Sequence, residues 1–355
     1  MPGEKRILII GGGLSGLTLA YLLSNHNLHI TLLEASSKLG GRIQTIKGPL
    51  GTPLELGATW LNDSHSRLLS LMSHLSLRKH PQVSDGISLF QTSKTEPIQK
   101  FTVPDEDGSS YRIVGGTQTL IDALAEKLNP GQINLNAKVI RLTEEKENLK
   151  IETSSGETFF ANCVVISLPS QVISSEVTFS PQLPEPVSQL LPNVQTWMAG
   201  SIKFVMEFEK PFWKKSGYSG MAFSHADIIA EMYDHSNAEK TKFGFTGFLN
   251  SSASRFSQEE RKALALRHLS ELFGEKDLSP THYEDKVWIG DLVLGENSLI
   301  PRPHQHNGHP LLLQSYFNEK LFFTGTETST EFAGYMEGAV RSAERVAQQI
   351  LKTKG

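Results

Sequence analysis

At 355 residues, 38% of them hydrophobic and 20% charged, the chain has enough apolar material for about two domains, which excludes general disorder. A net charge of −4 argues against nucleic acid as the main partner, since phosphate neutralisation needs a basic face. The lone cysteine, Cys163, excludes an intramolecular disulfide and a cysteine zinc site. Lys5-Arg6 and the apolar run after it could pass for a signal peptide. Gly11-Gly12-Gly13 interrupt that run, however, and no small-residue cleavage site follows. No stretch reaches the ~18 apolar residues of a membrane span. The expectation is a soluble, cytoplasmic protein.

Ile7-Leu8-Ile9-Ile10 is a continuous apolar run, as in a parallel strand buried on both faces. Leu14, Leu17, Tyr21 and Leu22 follow at helical spacing, then a second strand, His29 to Leu33, closed by Glu34. This is a strand–turn–helix–strand unit, the start of an α/β fold. Residues 61–110 are polar and mixed, with helical character around Arg67 to Leu77. Leu120 to Leu128 reads as a helix, and Val139 to Leu142 with Leu149 to Thr153 as a hairpin across the charged turn Glu144-Glu145-Lys146-Glu147. Cys163 to Leu168 is another apolar strand, stopped by Pro169. The prolines at 181, 184, 186 and 192 suggest a crossing between domains. Ser201 to Glu209 and Thr241 to Leu249 are strand-like, and Glu259 to Leu272 is an amphipathic helix. Leu321-Phe322-Phe323 and Met336 to Leu351 are the last strand and helix.

Gly11-Gly12-Gly13-Leu14-Ser15-Gly16 fits G-x-G-x-x-G. The first glycine permits a tight turn, the second a close approach to a pyrophosphate, the third helix-on-strand packing. The helix N-terminus offers free N–H groups to phosphates. Glu34, followed by Ala35, is placed to accept ribose hydroxyls. A glycine turn without ligand is the alternative. The motif alone does not separate FAD from NAD. Further glycine-rich stretches do: Leu39-Gly40-Gly41-Arg42, Leu56-Gly57-Ala58-Thr59-Trp60, Thr324-Gly325-Thr326-Glu327, and Gly334-Tyr335-Met336-Glu337-Gly338 opening the last helix. A cofactor clasped by both ends of the chain is long, which suits FAD.

With Val114-Gly115-Gly116, Ser201-Ile202-Lys203 and Pro211-Phe212-Trp213, these motifs make the chain resemble the flavin-containing amine oxidase family, and within it the monoamine oxidases. The resemblance implies a glutathione-reductase-like flavoprotein. Its Rossmann-like FAD-binding domain is discontinuous (1–65, 108–185, 290–355), beside a smaller α+β substrate domain of mixed sheet and helices (66–107, 186–289). It places Gly11, Gly13, Leu14, Ser15, Gly16, Glu34, Ala35, Gly41 and Arg42 at the adenosine and pyrophosphate. It places Gly57, Ala58 and Thr59 at the flavin edge, and the Val139 backbone at the adenine end. Gly325 and Glu327 meet the ribitol–phosphate region, and Tyr335 and Met336 the flavin ring.

Lys203 sits in an otherwise apolar strand, where an exposed lysine is the plain reading; the resemblance makes it the lysine that holds a water against flavin N5. Tyr335 matches one wall of an aromatic cage that guides the amine, and Trp288 a tryptophan preceding the second wall. Core packing is the alternative for both. Three features depart from the family. Gly295-Glu296-Asn297-Ser298 stands where the monoamine oxidases carry the cysteine that attaches FAD, so FAD is expected to be non-covalent. The second cage aromatic is missing there. The segment from Trp60 to Tyr111 is too short for the usual helical roof. His304-x-His306-x-x-His309 lies among prolines and glycine and reads as a solvated loop rather than a metal site.

The implied reaction is hydride removal from an amine C–H, hydrolysis of the imine, and reoxidation of the flavin by O2, with no metal. The substrate is a small molecule, and no motif bears on the oligomeric state. A related flavin dehydrogenase or desaturase is the alternative enzyme. A catalytically degenerate FAD-binding interaction protein is the alternative of another class. A simple NAD dehydrogenase finds support only in the first βαβ unit.

Overall fold

The structure, a computed structural model, describes residues 5–103, 110–289 and 302–352. The chain opens with β1 (Lys5–Ile10), α1 (Leu14–Ser24) and β2 (Leu28–Leu33). Then come β3 (Thr45–Lys47), β4 (Pro53–Glu55), α2 (Ser66–His74), β5 (Lys79–Pro81), β6 (Ile87–Gln91), β7 (Gln99–Thr102), β8 (Tyr111–Ile113) and α3 (Gln118–Ala125). The next stretch holds β9 (Ile133–Asn134), β10 (Val139–Glu144), β11 (Leu149–Thr153), β12 (Thr158–Ala161), β13 (Cys163–Ile166), α4 (Ser170–Glu176), β14 (Thr178–Ser180) and α5 (Glu185–Leu190). It is followed by β15 (Ile202–Phe208), α6 (Phe212–Lys215), β16 (Tyr218–Ser224), β17 (Ile229–Asp234), β18 (Phe243–Leu249), α7 (Gln258–Phe273) and β19 (His282–Val287). The described chain closes with α8 (Pro310–Leu313), β20 (Leu321–Phe323) and α9 (Met336–Lys352).

Five strands form a parallel sheet in the order β20-β13-β1-β2-β9. Its central strands are apolar on both faces because both faces are covered. One face packs α1, α2, α3 and α9 through Leu17, Leu23, Leu68, Ile121, Val340 and Val346. The other packs the four-stranded sheet β12-β11-β10-β14 with α4 and α5 through Leu142, Ile151, Ile173 and Val187. The chain leaves β1 toward β2 on one side, while β13 lies on the other. The carboxyl ends of β1 and β13 therefore border the crevice where open α/β sheets hold ligands.

The second body is a seven-stranded mixed sheet, β19-β15-β18-β17-β16-β6-β7. Ile202, Phe204, Met206 and Phe208 point to one face of β15 and join Trp213, Phe245 and the α7 residues Ala265, Leu269 and Leu272 in a third core. The capping box of Ser257 and Glu260 starts α7, and Gly274 ends it at φ 67°. The alternate residues of β15 face the nucleotide-binding layers. Glu207 accepts the N–H groups of Leu50 and Thr52, each at 3.0 Å. Val205 packs on Leu54 and Leu56, and Lys203 reaches Gly57. Three side chains two residues apart thus stitch one strand to the segment 50–57.

The stretch 61–110, expected as polar and mixed with one helix, carries that helix and also β5, β6 and β7. Every residue of β7 is exposed, so it lacks the alternation that betrays a strand. No helix among the described residues is long and apolar enough to cross a membrane.

Candidate active site

The crevice floor is made of backbone. Gly11, at φ 109°, turns the chain out of β1, and Gly13 is the N-cap of α1 with no side-chain cap. The first-turn N–H groups of α1 therefore have no intrahelical acceptor and carry the positive end of the helix dipole. A Cβ on Gly16 would lie 2.1 Å from the Gly11 carbonyl oxygen, so only glycine lets the helix seat this deeply. A Cβ on Gly13 would meet nothing nearer than the Gly40 carbonyl at 3.9 Å. The space above Gly13 is thus open, the cradle a pyrophosphate fits. Leu14 is buried and the Ser15 hydroxyl is engaged with Thr324 (2.8 Å) and Ser342 (3.1 Å), so both can offer only backbone to a ligand.

The Glu34 carboxylate accepts the N–H groups of Gly12 (2.7 Å) and Ser36 (2.8 Å) at the end of β2, with Ala35 exposed beside it. Gly40 and Gly41 both have positive φ, and Gly13 pairs with Gly40. Arg42 then reaches across the crevice to the buried Glu327, at 2.5 and 3.0 Å, closing a fork between residues 285 apart in sequence. The Glu327 carboxylate, expected to face the ribitol and phosphates, is thereby committed to Arg42. Gly325, at φ 125°, and Met336, the first residue of α9, stand at the same edge. Val139 pairs with Thr153 at the end of the β10–β11 ladder, next to the register slip between Val139 and Arg141.

The crevice wall is made of side chains. Lys203 is 2% exposed, and its Nζ donates to the Gly57 carbonyl at 2.6 Å and to the Thr59 hydroxyl. Gly57 is itself fixed, since Ala58 N donates to the Arg42 carbonyl at 3.0 Å. The Lys203 ammonium lies over the faces of Trp60 (4.8 Å) and Phe248 (5.4 Å). Burial pushes its pKa down to about 7, against the attraction of Glu55 and Glu231, while Arg112 adds to the depression. Burial in turn raises the Glu55 carboxyl, although Thr117 N and the Thr45 hydroxyl donate to it. The Trp288 indole donates to the Leu56 carbonyl at 2.9 Å, and Lys286 covers its ring at 4.0 Å.

Tyr335 is 44% exposed and lies 6.2 Å from the ring of Trp197, 29° off parallel, and Trp197 in turn lines a cavity of about 840 Å3. His304 lies 6.4 Å from Tyr335, only 12° off parallel, and stacks on Trp197 at 4.6 Å. The cavity is lined by Phe90, Phe223, Phe248, Trp197 and Glu231 among others. Sequence reasoning passed over these residues. The signal was there for Phe248 alone, as the outward position of a strand whose Phe243, Phe245 and Leu249 point to the core side. The histidine stretch divides: His304 joins the aromatic group, whereas His309 Nδ1 accepts Leu311 N at 3.2 Å. No group of three or more metal-binding side chains occurs among the described residues. Gly295-Glu296-Asn297-Ser298 lies outside them.

The floor suits FAD: a helix N-terminus, open glycines and a ribose-side carboxylate lead to the wall at Gly57 and Lys203. The sequence profile of the family described as "Flavin containing amine oxidoreductase" matches residues 14–99 and 86–351. The chain is 24% identical to the Dictyostelium discoideum protein named probable flavin-containing monoamine oxidase A, over 97% of each chain. That alignment runs over 452 positions, so a sizeable part of the relative has no counterpart in these 355 residues. It is 22% identical to human amine oxidase [flavin-containing] B, over 100% of this chain and 88% of the relative. Its fold superposes on a putrescine oxidase with a TM-score of 0.83, at 20% identity and 99% coverage of both chains. The chain belongs to the flavin-containing amine oxidoreductases and is an enzyme that uses a flavin cofactor.

Proposed function

We propose that the protein oxidises an amine at the C–H beside nitrogen, with FAD held non-covalently and O2 as the electron acceptor. The observation that carries this reading is Lys203, buried yet polar, pinned on Gly57 and Thr59 and lying over Phe248, which lines the aromatic cavity. When bound, FAD supplies the two-electron acceptor. Two donors of Lys203 are spent on protein, which leaves a third position to hold a water at the cofactor's reactive edge. With a pKa near 7, Lys203 can change charge at working pH. Tyr335 presents an aromatic face to the amine, and Trp197 with His304 supplies the opposing surface. Trp288 acts by positioning the Leu56–Gly57 segment.

The adenosine end would use the α1 N-terminus, Glu34, Ala35 and Val139; Arg42, held by Glu327, would serve the pyrophosphate; Ala58, Gly325 and Met336 would border the flavin. Cys163 supports non-covalent binding. It is the one cysteine of the chain and lies fully buried within the parallel sheet, where burial pushes its thiol up to about 12. Such a thiol has neither the access nor the thiolate for attachment. We draw the substrate domain around the third core. Leu68, Leu71, Val187 and Leu190 pack with the nucleotide-binding layers, so it takes in residues from about 78 to 103 and from about 195 to 289.

The test is anaerobic addition of primary, secondary and polyamines to the yellow holoprotein. At least one should bleach the flavin. Failure of every amine would contradict the reading. Acid precipitation should leave the flavin in the supernatant, and a yellow pellet would contradict non-covalent binding.

A further inference from the structure

Strand register places six side chains in one row on one face of the large sheet. Lys286 pairs with Lys203, Lys203 with Phe248, Phe248 with Glu231, Glu231 with Phe223, and Phe223 with Phe90. Directly paired residues point to the same face of a sheet. The row therefore runs from the lysine at the cofactor edge out along the cavity, which Phe248, Glu231, Phe223 and Phe90 all line. Glu231 is a carboxylate set between two phenylalanine rings. Its Oε2 is held by the Tyr233 hydroxyl at 3.1 Å, and the Tyr233 ring packs edge-on against Trp60 at 4.9 Å. Among the described residues no Lys, Arg or His forms an ion pair with it. Burial raises its carboxyl pKa, which the Tyr233 hydroxyl and the distant charge of Lys203 only partly offset, and an acid in an aromatic cavity without an ion-pair contact is costly to keep charged unless a ligand brings the counter-charge. It lies two strand spacings from Lys203, about 10 Å across the sheet.

Resting on the amine-oxidising reading, we propose that Glu231 anchors a second cationic group of the substrate. The favoured class is then an amine that carries another ammonium along an alkyl chain, rather than a simple monoamine. The alkyl chain would lie on Phe248, and the far ammonium would meet the carboxylate between the Phe248 and Phe223 faces, which themselves attract a cation. Charge-assisted hydrogen bonding to a half-buried carboxylate gives the far end a fixed position, and so places the near carbon at the cofactor.

The test is anaerobic stopped-flow reduction of the oxidised holoprotein by hexylamine and by 1,6-diaminohexane, the apparent Kd of each being read from the saturation of the reduction rate, in the parent and in Glu231→Gln. Glutamine keeps the size and can still accept from Tyr233. The parent should bind the diamine at least tenfold more tightly than hexylamine, and Glu231→Gln should bring the ratio close to one. A parent without preference for the diamine, or a preference that survives in Glu231→Gln, would overturn the proposal. Anaerobic bleaching by the same two amines separates the layers of the argument. If hexylamine bleaches the flavin while the diamine has no binding advantage, the second-cation site fails and amine oxidation stands. If neither amine binds nor bleaches, both readings fall.

Discussion

The floor and the wall of the crevice are built from different materials. At the floor, Gly11, Gly13 and Gly16 matter by what they lack, since the missing side chains leave backbone N–H groups open above the turn. At the wall, strand pairing aligns Lys203, Phe248 and Glu231, and the proposed roles rest on what their side chains carry. A backbone site depends on closeness and fails when an atom is added. A side-chain site depends on charge and shape and fails when a group is removed.

The largest effect should therefore come from adding one methyl to the floor. In Gly16→Ala the new Cβ would meet a backbone oxygen that cannot rotate away. Overpacking of this kind costs ~1–3 kcal/mol or more, and both the melting temperature and the flavin-to-protein ratio should fall. A variant that melts and binds like the parent would show that α1 can retreat from β1. A smaller effect is expected at Glu34→Ala. Here the loss of one carboxylate contact should weaken FAD binding by on the order of 1–3 kcal/mol, read by equilibrium titration of apoprotein with FAD. Unchanged affinity would remove Glu34 from the ribose.

The same contrast explains what could be read from residues alone. The floor is local: glycines, helix start and acid fall within residues 11–34 at spacings fixed by one βαβ unit. The register of the wall is not local. Glu231 and Phe248 come beside Lys203 only through the pairing of β15, β17 and β18. The family resemblance reached Lys203 with its partners Gly57 and Thr59, and Tyr335 and Trp288, but not Phe248, Glu231, Trp197 or the stacking of His304. Trp197 and His304 sit outside regular strands and helices, where no periodicity marks them. Strands β7 and β19 escaped for a related reason. The first is exposed throughout, and the second, His282–Val287, is polar along most of its length and buries Asp285 only because Arg261 neutralises it at 2.6 Å.

The pH response of Lys203 sharpens the comparison further. Its pKa is lowered to about 7, so it is an ammonium below that pH and loses the charge as pH rises through it. If the charge assists flavin reoxidation, that half-reaction should slow as pH rises through about 7, while the glycine turn, which offers backbone N–H groups, should hold FAD equally well on both sides.

The central claim is that Lys203 stands at the cofactor's redox edge, and stopped-flow kinetics of the two half-reactions in Lys203→Met test it most directly. Methionine retains the packing and removes the charge. Reduction by amine under anaerobic conditions should change modestly. Reoxidation by O2 should slow about tenfold or more, equivalent to about 1.4 kcal/mol of barrier, and should lose its pH dependence near 7. Two unaltered half-reactions would contradict the account and leave Lys203 a pin for Gly57 and Thr59 alone.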